Sequence, residues 1–281
     1  MKRFISLVLA LVMLVGVCAF AAGCNSSTDD YSKVKEKGVL KVGMECNYAP
    51  FNWTQAKSSD TSVKISAGGY ADGYDVQIAK KMADALGVKV EIVKLEWEGL
   101  IDALNSGVID CIIAGMSATA DRKLSIDFSA NYYASELVVV LKKGSAYEGA
   151  ASVKDFSGAK ITGQLGTFHY DVIDQMTGAT KLDAMGDFPT MIVALQAGTI
   201  DGYISELPGA VSAQASNSDL TYVKFESGKG FVASEDDIAV AIGVRKGSTL
   251  TSYLNAALAS ITETERQNLM NWAVENQPVS D

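Results

Sequence analysis

The segment ALNSGVIDCII, residues 103–113, recurs later in the chain as ALQAGTIDGYI, residues 194–204. Each copy predicts the last turn of a helix, then a glycine that can adopt a positive φ, then a short buried strand. Helices that alternate with such strands are typical of parallel sheets with helices on their faces. The repeat therefore predicts two similar α/β units.

The two copies are followed by side chains of opposite charge. Gly115, Ser117 and Arg122 follow the first copy, with Thr119 predicted to cap a short helix, and Glu206 follows the second. A guanidinium binds a carboxylate through two parallel hydrogen bonds, whereas a carboxylate binds an ammonium group. Ligands of parallel sheets lie beyond the carboxyl ends of the strands, so the repeat predicts a cleft that binds a zwitterion. The alternative is that Arg122 and Glu206 are surface charges with local partners, and the repetition favours the functional interpretation over it.

The segments around the two copies extend the α/β pattern. Strands are predicted at 39–44, 88–93, 136–141, 160–163 and 238–244. Helices are predicted at 97–106, at 170–176, from 190 onward and in two segments after 248. A further helix, with apolar residues at helical spacing, is predicted to be capped by Asp75 and to end at Gly87.

The chain length predicts more than one core. At 281 residues the chain is near the size at which a single hydrophobic core stops growing. We expect an α/β protein of two lobes, each a mostly parallel sheet flanked by helices. Lobe 1 is predicted at 35–134 and 237–281, and lobe 2 at 135–236. Lobe 2 is thus inserted into lobe 1, and the two crossovers form a hinge.

The composition is that of an ordinary globular protein, with 48% hydrophobic and 20% charged residues. The formal net charge is -9. Phosphate binding needs clustered Lys and Arg, and the sequence has no such cluster, so nucleic acid is disfavoured as a partner.

The N-terminus has the features of a targeting segment. Residues 1–23 combine an initial positive charge with a short apolar stretch and small residues, as in a signal peptide. The sequence AAGC at 21–24 resembles a bacterial lipobox, which implies that Cys24 is lipidated and that 24–34 is a tether. The alternative is an ordinary signal peptide that is cleaved nearby, with Cys24 incidental. Cys46 and Cys111 are expected to be free thiols in the core.

The residue pattern favours binding over catalysis. His169 is the only histidine, no obvious nucleophile lies near it in sequence, and it is expected to pack or to line the rim of the cleft. The sequence has no His, Cys and carboxylate cluster at metal-ligand spacing and no glycine-rich phosphate loop. We therefore expect no metal, no cofactor and no catalytic residue.

An ordered set of segments carries a family resemblance. The set consists of GMECNYAPF at 43–51, GYDVQIA at 73–79, IIAGMSATADR at 112–122, Gly166-Thr167 and 201–206. The chain resembles the solute-binding proteins of amino-acid ABC transporters, the polar and basic amino-acid-binding family with the two-lobed type II fold. The resemblance covers essentially the whole chain after the signal peptide.

The resemblance implies which residues would bind the backbone groups of an amino acid. The α-carboxylate would be held by Arg122, Ser117, Thr167 and the backbone N–H of Phe168. The α-ammonium would be held by the Gly115 carbonyl and Glu206. Glu206 stands where the family commonly has Asp, which implies a contact shifted by one methylene.

The resemblance also implies how the ligand side chain is bound. Tyr48 and Trp97 would sandwich it, and Glu45 and Gln164 would reach its far end. A carboxylate beside two aromatic rings suits Lys, Arg or His, although it also accepts hydrogen bonds from a glutamine amide. The alternatives are that both rings belong to the core and that Glu45 is a solvated loop acid.

The function implied is that of an extracytoplasmic, lipid-anchored monomer that binds one free L-amino acid and delivers it to a membrane permease. One alternative is an enzyme on the same fold, a cyclohexadienyl or arogenate dehydratase, with Glu45 or Glu206 as the acid. Another is a receptor for a signalling partner.

Overall fold

The computed structural model describes residues 29–278. The predicted signal peptide, Cys24 and the first part of the tether lie outside the described residues. Within the range that is described, no helix combines the length and the apolar character needed to cross a membrane.

The elements alternate between strand and helix along most of the chain. The strands are β1 Val39–Met44, β2 Asn47–Tyr48, β3 Asn52–Gln55, β4 Val63–Lys64, β5 Tyr70–Asp72, β6 Lys89–Lys94, β7 Cys111–Ile112, β8 Asp127–Ala134, β9 Leu137–Lys142, β10 Lys160–Thr162, β11 Thr180–Lys181, β12 Gly202–Glu206, β13 Leu220–Val223 and β14 Ala239–Val244. The helices are α1 Asp30–Lys37, α2 Tyr74–Leu86, α3 Leu100–Asn105, α4 Ala120–Ser125, α5 Phe168–Asp171, α6 Phe188–Gln196, α7 Leu207–Ser216, α8 Glu235–Ile238, α9 Leu250–Ala259 and α10 Glu263–Asn276. Short 3₁₀ turns occupy Trp97–Gly99, Val153–Asp155 and Val172–Gln175.

The strands form two five-stranded sheets, one in each lobe. The first has the order β6-β1-β7-β14-β8, and the second has the order β11-β10-β12-β9-β13. In each sheet the first three strands of this order are parallel to one another. The other two strands, which carry the chain to or from the other lobe, are antiparallel to their neighbours. A small antiparallel sheet, β2-β3-β5-β4, is attached to the first lobe. The predicted two-lobed α/β fold is confirmed.

Two crossovers connect the lobes. Strand β8 of the first sheet leads directly into β9 of the second, and the chain returns from β13 through α8 to β14. The crossovers are joined where Ser135 donates its backbone N–H to the Ile238 carbonyl at 3.1 Å. The lobes are therefore linked by two adjacent strands of chain, which is the geometry of a hinge.

The two copies of the repeat fold alike. Helices α3 and α6 each end two residues before a glycine, and Gly107 and Gly198 have φ values of 80° and 72°. Asp110 donates its backbone N–H to the Lys41 carbonyl at 2.8 Å and accepts the Lys41 N–H at 3.0 Å. Asp201 makes the same pair of bonds with Lys160, both at 2.8 Å. Each aspartate thus joins its own strand to the neighbouring parallel strand.

The helix predicted before Gly87 is present as α2, but Asp75 does not cap it. The cap position is held by Gly73, with φ at 121°, and Asp75 lies inside the first turn, fully buried. The prediction failed because an aspartate near a helix start suggests a cap in sequence, whereas here the helix begins two residues earlier than that cap would place it. Gly87 ends the helix in the left-handed conformation, as predicted.

Most other predicted elements are confirmed with shifts of one or two residues at their ends. The segment 97–106 begins as a 3₁₀ turn before α3, and α6 begins at Phe188, two residues earlier than predicted. Cys46 and Cys111 are buried free thiols, as expected.

Candidate ligand-binding cleft

The predicted site residues come together between the two lobes. One cavity is lined by Tyr48, Trp97, Gly115, Ser117, Arg122, Gln164, Thr167 and Phe168. Glu45 and Glu206 adjoin it, because Gln164 donates to Glu45 and Tyr48 donates to Glu206. His169 and Asp237 also line the cavity.

Arg122 is positioned by the start of α4. Thr119 caps this short helix, as predicted, and its side chain accepts the Arg122 N–H at 3.4 Å. The guanidinium donates to the carbonyls of Ser117 and Gly166, each at 3.0 Å, and lies 5.0 Å from the centre of the Trp97 ring. Burial lowers the pKa of Arg122 to about 10, so the side chain remains a cation at neutral pH. Since Gly166 belongs to the second lobe, this cation contacts both lobes.

Glu206 places a carboxylate from the second lobe at the same cavity. It ends β12, precedes α7 directly and is almost fully buried. The Tyr48 hydroxyl donates to one carboxylate oxygen at 2.9 Å, and His169 Nε2 lies 3.6 Å from the other. The His169 Nδ1 atom is buried and has no hydrogen-bond partner among residues 29–278. Glu206 is therefore a buried acid with one strong donor and an imidazole beside it.

The Tyr48 ring lies between the lobes. It stacks on Phe51 of the first lobe at 5.0 Å and on Phe188 of the second at 4.3 Å, measured between ring centroids. Gly115 has φ at 61°, and a Cβ added there would approach the Tyr48 ring to 2.9 Å. Glycine at 115 therefore satisfies both a left-handed backbone and a close ring contact.

Glu45 forms an acidic end of the cleft. Gln164 Nε2 donates to both Glu45 oxygens, at 3.0 and 3.3 Å, and to the Gly186 carbonyl at 3.0 Å. The pKa of Glu45 is raised to about 7, chiefly by burial and also by the nearby charges of Asp187 and Glu96, whereas the Gln164 hydrogen bond and the charge of Lys94 oppose the rise. The negative charges at this end favour a cation.

Several residues of the cleft were not assigned to the site from the sequence. His169 was expected to pack or to line the rim, and it faces Glu206 inside the cavity. Phe188 was outside the predicted helix, although Asp187 followed by Pro189 is a helix-start signal that would have found it. Asp237 carried no sequence signal of this kind.

A cation thus lines one cavity between two hinged lobes, and two carboxylates adjoin that cavity. No group of three or more His, Cys, Asp or Glu in the described part of the chain could hold a metal ion. The fold and this cleft define a two-lobed binding protein of the periplasmic type.

Residues 40–272 match the family model of bacterial extracellular solute-binding proteins, family 3. The chain belongs to this family, and the family places it outside the cytoplasm.

Curated relatives match nearly the whole chain. The arginine-binding extracellular protein ArtP of Bacillus subtilis (strain 168) is 30% identical, with 90% of this chain and 92% of that protein covered. The L-cystine-binding protein TcyJ of Escherichia coli (strain K12) is 29% identical, with 88% and 89% covered.

Solved structures match the fold. An amino acid ABC transporter substrate-binding protein from Streptococcus pneumoniae Canada MDR_19A, bound to L-arginine, has a TM-score of 0.77 at 26% identity, covering 88% of this chain and 98% of that one. An ancestral amino acid-binding protein, described as a precursor of cyclohexadienyl dehydratase, has a TM-score of 0.70 at 26% identity, covering 87% and 99%.

Proposed function

We propose that this protein is the extracytoplasmic binding component of an amino-acid ABC importer and closes its lobes around one L-amino acid with a polar or basic side chain. The observation that carries the proposal is the pair of opposite charges at one buried cavity, Arg122 from the first lobe and Glu206 from the second. A ligand that satisfies both must itself carry both charges. The arginine-binding and cystine-binding relatives support an amino acid as that ligand.

In this proposal Arg122 binds the α-carboxylate, with help from Ser117, Thr167 and the Phe168 N–H. Glu206 and the Gly115 carbonyl bind the α-ammonium. Closure is favoured because one ligand makes contacts with both lobes, and only contacts that differ between open and closed states can shift that equilibrium. Micromolar affinity corresponds to about 8 kcal/mol, which a doubly paired zwitterion and a stacked side chain can supply.

The side chain of the ligand would lie along Tyr48 and Trp97, with its end near Glu45 and Gln164. We propose a basic side chain, and L-arginine first, because Glu45 is flanked by the negative charges of Asp187 and Glu96. The solved neighbour that holds L-arginine supports this choice. A glutamine amide would pair with the same carboxylate without the charge attraction.

The proposal also includes how the protein is anchored at the membrane and where its lobes are divided. Lipidation at Cys24 and a tether at 24–34 would hold a monomer at the outer face of the membrane, beside the permease that receives the amino acid. Lobe 1 would comprise 35–134 and 237–281, and lobe 2 135–236. Labelling the expressed protein with a lipid precursor tests the anchor, since Cys24→Ala should abolish the label.

The cleft is tested by isothermal titration with the common L-amino acids. Arg122→Ala should remove most measurable affinity, because the carboxylate of the ligand would enter a buried site without a cation. Arg266→Ala is the matched control, since its guanidinium also donates to backbone carbonyls but lies away from the cleft. Binding that survives nearly unchanged in Arg122→Ala would show that the site is wrong.

A second candidate function is a dehydratase reaction on the same fold. The observation that favours it is the buried Glu45, whose pKa of about 7 would allow it to hold a proton near neutrality, as a general acid must. The ancestral neighbour described as a dehydratase precursor adds to it. Turnover assays with prephenate and arogenate decide between the two, and robust product formation would overturn a function limited to binding.

A further inference from the structure

A buried carboxylate lies behind the cleft without lining it. Asp75 is fully buried in the first turn of α2 and does not reach the cavity. Its two oxygens accept one hydrogen bond each, from the Asn52 amide at 2.7 Å and from the Tyr132 hydroxyl at 2.7 Å. Asn52 and Tyr132 are also fully buried.

Each of these partners is bonded onward to a backbone N–H of a cleft loop. The Asn52 carbonyl oxygen accepts the N–H of Cys46 at 2.7 Å, and Cys46 directly follows Glu45. The Tyr132 hydroxyl oxygen accepts the N–H of Gly115 at 3.1 Å. Two chains of hydrogen bonds therefore run from the loops after β1 and β7 and end on the same carboxylate.

The donors and acceptors along these two paths set the direction of each hydrogen bond. Backbone N–H groups only donate, so Asn52 must turn its oxygen to Cys46 and its NH₂ to Asp75. Tyr132 accepts from Gly115 and donates its single proton to Asp75. Position 75 thus needs two acceptors and no donor. A carboxylate meets that need, whereas an asparagine side chain would bring an NH₂ donor in place of one acceptor.

The surroundings of Asp75 act on its negative charge in opposite directions. The N-terminal turn of α2 stabilises a negative charge, as do the bonds from Tyr132 and Asn52. Burial is the largest influence and acts against it, as does the charge of Glu206, so that the pKa of Asp75 is raised to about 7. The hydrogen bonds from Tyr132 and Asn52 oppose that rise in pKa and so support the charged form.

We propose that Asp75 is a positioning residue of the binding site, whose carboxylate fixes the two loops that carry Glu45 and Gly115 through Asn52 and Tyr132. The inference rests on the proposed function in so far as these loops hold the ligand. Asp75 touches no ligand itself. It acts on the ammonium subsite through the Gly115 loop and on the side-chain subsite through the loop of Glu45.

The test compares Asp75→Asn, Tyr132→Phe and the matched control Asp72→Asn in the full chain. Asp72 is also buried and accepts several hydrogen bonds. Its side-chain partners are Ser59, Thr61 and Gln77, which belong to neither of the two hydrogen-bonded paths that end on Asp75. The first measurement is backbone hydrogen exchange at Cys46 and Gly115 without ligand. Asp75→Asn should speed exchange at both amides by about tenfold, the effect of losing one bond to a charged group. Tyr132→Phe should speed it at Gly115 alone, and Asp72→Asn at neither.

The second measurement is the affinity for L-arginine and for 5-guanidinopentanoate, which lacks the α-amino group. Asp75→Asn should weaken arginine binding by about tenfold and weaken the analogue clearly less, because the ammonium subsite depends on Gly115. A general structural defect would weaken both equally and would overturn the proposal, as would unchanged exchange at both amides.

The two proposals fail in different ways. If the wild-type protein binds neither probe, the choice of L-arginine fails, and if it binds none of the common L-amino acids, the function assigned to the cleft fails. In both cases the exchange data still decide the role of Asp75. If Asp75→Asn does not fold, Asp75→Glu replaces it, since a carboxylate displaced by one methylene should also speed exchange at both Cys46 and Gly115, and unchanged exchange at both would refute the proposal. Equal changes at both amides in Tyr132→Phe would refute it.

Discussion

Glu45 combines burial with a position at the end of the cleft, and this couples ligand binding to pH. Its pKa is raised from 4.5 to about 7, so the folded protein holds the proton more tightly than the unfolded chain does. Stability contributed by that proton is present at low pH and is lost as the pH rises toward 7 and above. A cationic ligand has the opposite preference, because it favours the ionised carboxylate.

We therefore expect Glu45→Gln to change two properties in opposite directions. At pH 8 the free energy of unfolding without ligand should rise by about 1–3 kcal/mol, because a buried charge is removed. Affinity for L-arginine should fall by about tenfold or more at the same pH.

Titration calorimetry and chemical denaturation at pH 6 and pH 8 measure both effects. The wild-type protein should bind arginine more tightly at pH 8, and Glu45→Gln should lose most of this dependence. Asp75 also has a pKa raised to about 7, so the difference between the two proteins isolates Glu45. An equal pH dependence in both would show that Glu45 does not face the ligand.

At the scale of the elements, the repeated aspartates stabilise the parallel strand pairs. Asp201 carries two hydrogen bonds that join β12 to β10, and Asp110 carries the equivalent pair for β7 and β1. Asp110 also lies 3.8 Å from the charged groups of Lys37 and Arg245, so its removal would mix several effects. Asp201 gives the simpler experiment.

Asp201→Ala should lower the free energy of unfolding by about 1–2 kcal/mol, because the Lys160 N–H loses its acceptor at the start of β10. Ligand affinity should change little, since the bond lies at the opposite end of these strands from Glu206. Chemical denaturation with a titration of the native protein measures both. A large loss of affinity at unchanged stability would contradict this role.

The sequence predicted the elements that depend on local pattern. The strand and helix of each repeat, the glycines after α3 and α6, and the Thr119 cap are all present, because each rests on spacing or on one backbone conformation. The small sheet β2-β3-β5-β4 was not predicted, since strands of two to four residues show no periodicity.

The site was predictable as a set of residues but not as a set of contacts. Predicted residues from both lobes line one cavity, because the carboxyl ends of parallel strands meet at one edge. The pairs Glu45–Gln164 and Tyr48–Glu206 join residues more than a hundred positions apart, and only the packing of the lobes brings them together. The role of Asp75 was missed for the same reason, because Tyr132 lies 57 positions away.

At the scale of the whole molecule, one ligand should stabilise both lobes together. With free L-arginine at a hundred times its dissociation constant, mass action stabilises the folded protein by about 2.7 kcal/mol. For a protein of this size that corresponds to a rise in Tm of about 5–10 °C. Scanning calorimetry checks this, and Arg122→Ala should show no rise. A comparable rise in Arg122→Ala would place the stabilising site elsewhere.

Strand β14 has a consequence for the order of assembly during synthesis. It lies between β7 and β8 in the first sheet, yet it is the last strand within residues 29–278. The second sheet is complete once β13 has been made, whereas β8 gains its partner only after β14 emerges. On a chain that emerges from its N-terminus, the inserted lobe can therefore finish folding first, and the lobe that begins the sequence is the one that waits for its end.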